Sequence, residues 1–320
     1  MAQLGQAEKP HNYPNALYKE IALFRPSTSV QQTNSLLNTT PVDLRRLGAA
    51  ARNDPDLAVE TVRFCNSSLF RLPRPVSSLE QAVVATNAET VRILLLTCWL
   101  TRLSGSKVAM RENQLFWSHS LLAAQISRRI SEWTGLVQPE QAFLAGLLHD
   151  VGNLPFLTLF SSGGVARQQG LFEDLGESIE SQRRRFGTDH CELGERLAVA
   201  LGFPFPLAEV VSKHHQPGDA IRGFPLLSIV GAAEAITQAS HDRAKQEIPA
   251  EVPGTFIKDS LRKWLPGLNP DANTHLIAAL EADLLANARR FAPEAGRVWS
   301  DSLPGSAPKS KAEKGTCAGG

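Results

Sequence analysis

The sequence lacks most of the features that mark redox, membrane and nucleic-acid proteins. It has four cysteines in 320 residues, Cys65, Cys98, Cys191 and Cys317, and no two form a CxxC pair. That spacing argues against a disulfide framework and for a reduced, cytoplasmic protein. An excess of one charge is also missing: 33 basic residues face 32 acidic ones, for a net charge of +1. Nothing in that balance, and no basic patch with interleaved aromatics, points to nucleic acid or acidic lipid. The longest apolar stretch read from the sequence, Ile93 to Leu100, is too short to span a bilayer, and Met1 to His11 offers no apolar segment for a secretory signal. No membrane and no nucleic-acid partner is expected.

Strand signals are absent as well. No alternating segment or hairpin turn stands out, and the chain reads as helix after helix. Asp54-Pro55 is an N-cap followed by proline at the first helical position, and Ser78 precedes a second helix. The apolar run to Leu103, a long periodic segment from Glu112 to Thr134, and a helix from Pro139 to His149 follow. Asp189 and Glu192 have capping-box spacing ahead of a helix to Leu201. Pro204 and Pro206 start the next, to His215, and Phe224–Ala239, Phe256–Trp264 and Ala272–Phe291 complete the set. The fold class is all-α, an irregular orthogonal multi-helix bundle. With 42% hydrophobic residues, the chain is ordinarily globular. Residues 1–30 read as a polar extension, and Leu303 to Gly320, rich in Pro, Gly, Ser, Ala and Lys, as a disordered tail.

Against that background the histidines stand out. His119 falls on the apolar stripe of Leu115, Leu122, Ile126 and Ile130. His149 follows the small face of Ala142, Ala145 and Gly146, and Asp150 adjoins it. His190 shares a face with Gly194, Leu197 and Leu201; His214 and His215 follow Leu207, Val210 and Val211; Glu234 follows Leu227 and Val230. A single inward histidine is commonly a hydrogen-bonded core residue, and His214-His215 could simply end a helix. The joint occurrence is what points to a site. Carboxylates on buried faces need a partner or a cation, and imidazoles with carboxylates form a ligand set suited to Fe, Mn or Zn, as one ion or two. His11, His241 and His275 fall in polar settings and receive no role.

These residues resemble a known family. The run from Phe143 to Gly152, with His149-Asp150 at its centre, resembles the motif of HD-superfamily metal-dependent phosphohydrolases. Asn53–Ala58, Phe64–Ser67, Val76–Ala82, Phe186–Gly194 and His214–Pro217 resemble the HDOD domain, the HD-related output domain of bacterial signalling proteins. The resemblance covers roughly residues 30 to 240. It divides the chain into the extension 1–30, an HDOD domain over 31–240, C-terminal helices packed on it over 241–302, and the tail 303–320. It also implies a divalent metal held at positions matching His119, His149, Asp150, His190, His214 and His215, with Glu234 in place of a final Asp and Asp242 as a weaker candidate. In active cyclic di-GMP phosphodiesterases of the superfamily, a lysine stands three residues after the aspartate; here it is Asn153. Gly223-Phe224-Pro225 only echoes their Gly-Tyr-Pro, and Gln216 replaces a glutamate, so cyclic di-GMP hydrolysis is not expected.

The leading expectation is accordingly a regulatory module that acts by binding a protein partner in signalling, with no other output or sensor domain visible. The alternative is a metal-dependent phosphohydrolase acting on a nucleotide or other phosphoester. A third reading is a bound ion that only stabilises the fold or senses redox state.

Overall fold

Short polar side chains set where the helices begin. In the computed structural model, which describes residues 13–67, 72–162, 179–217, 223–245 and 252–291, Asp54 accepts from the Leu57 amide and Pro55 opens the helix. Ser78 accepts from the Gln81 amide, Asn87 from Thr90 and Asp189 from Glu192. Each satisfies an amide that the first turn leaves without a partner. Glu192 does not return the bond a capping box would have; its carboxylate accepts from Tyr18 Oη at 2.8 Å and Thr188 Oγ1 at 2.9 Å.

The helices run in order as α1 (Tyr13–Ile21), α2 (Thr28–Leu37), α3 (Leu44–Ala51), α4 (Pro55–Cys65) and α5 (Leu79–Ala85). There follow α6 (Ala88–Lys107), α7 (Met110–Thr134), α8 (Pro139–Leu148), α9 (Leu154–Ser162) and α10 (Ile179–Phe186). Last come α11 (His190–Leu201), α12 (Phe205–Lys213), α13 (Pro225–Lys245), α14 (Gly254–Trp264) and α15 (Thr274–Phe291). The fold is all-α, and no strand occurs among the described residues. α6 is buried over the whole run Thr90 to Thr101 and forms the hub, with α2, α4, α5, α8 and α9 around it. A helix apolar on all sides has to be enclosed in this way. α7 and α8 form a tight antiparallel pair joined at Gly135, and α13 lies across both.

Two glycines set how closely the site elements approach. A β-carbon at Gly146 would lie 2.8 Å from Ala124 Cα, so glycine lets α8 lie directly on α7. A β-carbon at Gly152 would overlap the His190 carbonyl, so the 3₁₀ turn Val151–Asn153 can pack on the start of α11 only with glycine there.

The structure departs from the sequence reading in three places. Residues 13–30, expected within a polar extension, form α1 and the start of α2, with Leu17, Phe24 and Val30 fully buried. α13 runs to Lys245 rather than ending at Ala239. Pro139–Ser161, not Ile93–Leu100, is the segment long and apolar enough to cross a membrane by length and composition, with mean hydropathy 1.3. It is broken at His149-Asp150 and 89% of that stretch is buried inside the protein, which marks it as core. α14 and α15 pack on α13 and α7. The expected tail from 303 lies outside the described residues. Cys65, Cys98 and Cys191 are buried, and burial pushes their thiols up, Cys65 to about 11, so they offer neither a nucleophile nor a thiolate ligand.

Gly152→Ala is expected to destabilise the protein by about 1–3 kcal/mol, because backbone rather than a movable side chain blocks the new methyl. Gly105→Ala, whose β-carbon would meet nothing nearer than 3.9 Å, is expected to be neutral or stabilising by up to about 1 kcal/mol inside α6. Urea unfolding of both variants checks the contrast.

Candidate metal centre

Five helices and one turn bring the titratable residues to one place. His119 comes from the middle of α7, and His149 and Asp150 from the end of α8. His190 opens α11, His214 and His215 follow α12, and Glu234 lies on α13. All seven residues singled out from sequence thus meet. Six are buried or nearly so, and His215 sits at the more exposed rim.

Asp150 divides the cluster into two halves. Its Oδ2 faces His119 Nε2 at 3.5 Å and His149 Nε2 at 3.7 Å. Its Oδ1 faces His214 Nε2 at 3.3 Å and His190 Nε2 at 3.5 Å. Glu234 Oε2 closes the first half, 3.0 Å from both His119 Nε2 and His149 Nε2. His215 Nε2 closes the second, 3.1 Å from His190 Nε2.

The outer ring nitrogens fix the tautomers. His149 Nδ1 donates to the Gly146 carbonyl at 2.8 Å, and His214 Nδ1 to the Val210 carbonyl at 3.0 Å. His190 Nδ1 donates to Gln182 Oε1 at 2.8 Å, an atom that also accepts from the His190 amide at 2.9 Å and so must be the oxygen. With Nδ1 protonated, each neutral ring presents its Nε2 lone pair inward. Lone pairs then face carboxylate oxygens and one another, an arrangement that requires a proton or a cation between them. Protons alone satisfy it unevenly. Burial pushes His149 down, but Asp150 and Glu234 beside it prevail and raise it to about 9. Burial, reinforced by His214, holds His190 down to about 4. Burial opposes the charge on Asp150 and Glu234, yet the surrounding imidazoles keep both carboxyls well below their ordinary range.

The donor set fits divalent metal. His119, His149 and Asp150, and separately Asp150, His190, His214 and His215, place one ligand atom each within 4.8 Å of one another. Asp150 Oδ1 is buried with no hydrogen-bond donor among the described residues, though two unprotonated ring nitrogens face it. The N/O composition suits Fe, Mn or Zn.

Other residues fall as follows. His241, given no role from sequence, lies seven residues, about two turns, beyond Glu234 on the extended α13, and its Nδ1 is 3.2 Å from His119 Nδ1. The seven-residue spacing from Glu234 was the available signal, hidden by ending the helix at Ala239. Gln182, which orients His190, carries no signal at all. Asp242 accepts from Gln238 Nε2 at 2.9 Å and stands outside the cluster. Asn153, three residues after Asp150, is buried, and among the described residues no donor reaches its Oδ1. Arg183 binds the Asp189 carboxylate and Arg185 stacks on Phe186, so neither stands free to clamp phosphate. A cavity of about 560 Å³ opens on the cluster, walled by His214, His215, Glu234, Phe256, Lys263 and Trp264.

The match to known sequences decides the family: the model of the HDOD domain covers residues 23–217. The chain belongs to the HDOD family. Its HDOD fold is similar to that of a solved HDOD domain protein from Geobacter sulfurreducens, at 22% identity and TM-score 0.57, over 86% of this chain and 97% of that one. A Shewanella amazonensis protein provisionally named a phosphohydrolase matches at 18% identity and TM-score 0.58, over 87% and 98%. A Marinobacter aquaeolei protein provisionally named in signal transduction matches at 16% and TM-score 0.51, over 88% and 67%. Among curated proteins, Ribonuclease Y of Deinococcus radiodurans is 27% identical over 127 residues, 40% of this chain and 20% of that protein. Ribonuclease Y of Thermus thermophilus is 33% identical over 75 residues, 23% and 12%. The HDOD chain thus spans a fifth or less of the curated relatives it matches.

The pH response of stripped HDOD protein checks the geometry. His149 has its pKa raised in the fold from 6.5 to about 9, so its stabilising contribution is complete below 6.5 and is lost as pH rises through 9. The melting temperature of chelator-treated protein should fall across that window, and His149→Gln should remove the fall. Metal affinity should move the opposite way and rise with pH, because ligands must shed protons.

Proposed function

We propose that this HDOD protein is a metal-dependent phosphohydrolase acting on a nucleotide or other small phosphoester. The observation that supports this best is the double cluster bridged by Asp150, with three of its imidazoles held at Nδ1 so that Nε2 points inward. Divalent ions there would polarise a phosphate oxygen and lower the pKa of an attacking water. The protein's own residues supply the rest. Gly146, Gln182 and Val210 lock the rings, and α13 closes one side with Glu234. The 560 Å³ cavity has the size of a small-molecule site. Lys263, on its wall, offers a cation that Asn153 cannot, and a charge on that buried turn would have no solvent. The provisional name of the Shewanella relative points the same way.

A second reading keeps the metal but not turnover, with HDOD binding a signalling protein from the cytoplasm. It is favoured by neutral, buried Asn153 at the lysine position and by the name of the Marinobacter relative.

Turnover of bis(p-nitrophenyl) phosphate and of 5′-nucleotides with added Mn²⁺ separates the two. The phosphohydrolase reading expects hydrolysis that falls about 10²-fold or more in a His149→Ala, Asp150→Ala variant. Lys263→Ala should lose about tenfold in kcat/KM, as for one charge-assisted hydrogen bond, with metal content unchanged. Metal-loaded protein that hydrolyses none of these esters would favour the second reading.

A further inference from the structure

A second cavity, of about 670 Å³, lies apart from the histidines, between α1, α2, α6 and the last turn of α11. Arg25, Arg92 and Arg196 line it, and its lining includes no Asp or Glu. Arg92 is the unusual member. It sits on the buried hub helix with 7% of its surface exposed, and it donates to the neutral Asn38 Oδ1 at 2.8 Å. Among the described residues no carboxylate comes within ion-pair distance of Arg92 or Arg25. Burial pushes the Arg92 guanidinium down from its ordinary value, with Glu89 one turn earlier partly offsetting this. Even so, arginine stays charged in proteins. A buried, fixed cation facing a cavity without a counter-charge is costly unless an anion completes it. Arg196 is engaged differently, paired with Glu192 at 3.3 Å and stacked on Tyr18 at 4.2 Å, so it lines the cavity already partnered. Asn34, Ser35 and Gln31 of α2 complete the polar part of the lining.

We infer that this cavity is a binding site for a small phosphorylated ligand, with Arg92 as the buried anchor and Arg25 as the second phosphate contact. Guanidinium groups match phosphate oxygens two at a time, and the volume suits a molecule of nucleotide size. The site is separate from the metal centre, yet α11 links them: His190 opens that helix and Val199 to Leu201 line the cavity at its end, about 14–17 Å away at 1.5 Å per residue.

Calorimetric titration of the full chain with inorganic pyrophosphate and with AMP tests the inference. Wild-type protein should bind at least one of them, and the His149→Ala, Asp150→Ala variant should bind equally well. Arg92→Gln and Arg25→Glu should each weaken binding at least tenfold while leaving metal content unchanged. Arg25 is exposed, so its variant stays informative if Arg92→Gln fails to fold. No heat with millimolar probe, or affinity that survives Arg25→Glu but disappears in the His149, Asp150 variant, would overturn it. The latter result would place the anion at the metal centre instead.

Discussion

Imidazole lone pairs and carboxylate oxygens point at one another in a largely buried cluster, and much of the surrounding architecture follows from that constraint. A buried carboxylate such as Asp150, facing four ring nitrogens across its two oxygens, is unfavourable unless positive charge lies between them. Protons can supply that charge only in part, because Asp150 and Glu234 raise His149 against burial while burial prevails at His190 and lowers it. A divalent ion held by these residues would supply that charge, and Asp150 is placed to serve either half because its two oxygens face different histidines.

The fold holds this arrangement by close backbone packing. Gly146 brings α8 onto α7, Gly152 lets the turn after Asp150 meet α11, and a β-carbon at either position would strike backbone. Histidines from separate helices therefore converge without flexible loops, as a preorganised ligand set needs. The second layer is equally local: His149 binds a carbonyl one turn back on α8 and His214 one turn back on α12. His190 depends instead on a side chain of another helix, Gln182 of α10.

Much of this was legible in the sequence, for identifiable reasons. His119, His149, His190 and Glu234 occupy positions where helical period demands apolar residues, so a polar group there signals either a satisfied core residue or a site. The caps at Asp54, Ser78 and Asp189 carry their own short-range chemistry and read correctly. What was missed depends on tertiary context. Leu17, Phe24 and Val30 are spaced six to seven residues apart in polar surroundings, too sparse for a periodic stripe, yet each is fully buried by neighbours far along the chain. His241 was set aside because polar residues from Gln238 onward hid the continuation of α13 toward the cluster. The cavity of arginines could not be read at all, since Arg25, Arg92 and Arg196 belong to three elements that only the fold brings together.

Whether metal occupies the cluster is most directly measured by elemental mass spectrometry on the full chain, purified anaerobically without a histidine tag, beside the His149→Ala, Asp150→Ala variant. The account predicts about one to two equivalents of Fe, Mn or Zn per wild-type chain, as a mono- or dinuclear site would hold, and loss of that metal in the variant. Trace metal in wild-type protein, no greater than in the variant, would contradict it and leave the histidines as a proton-linked core network.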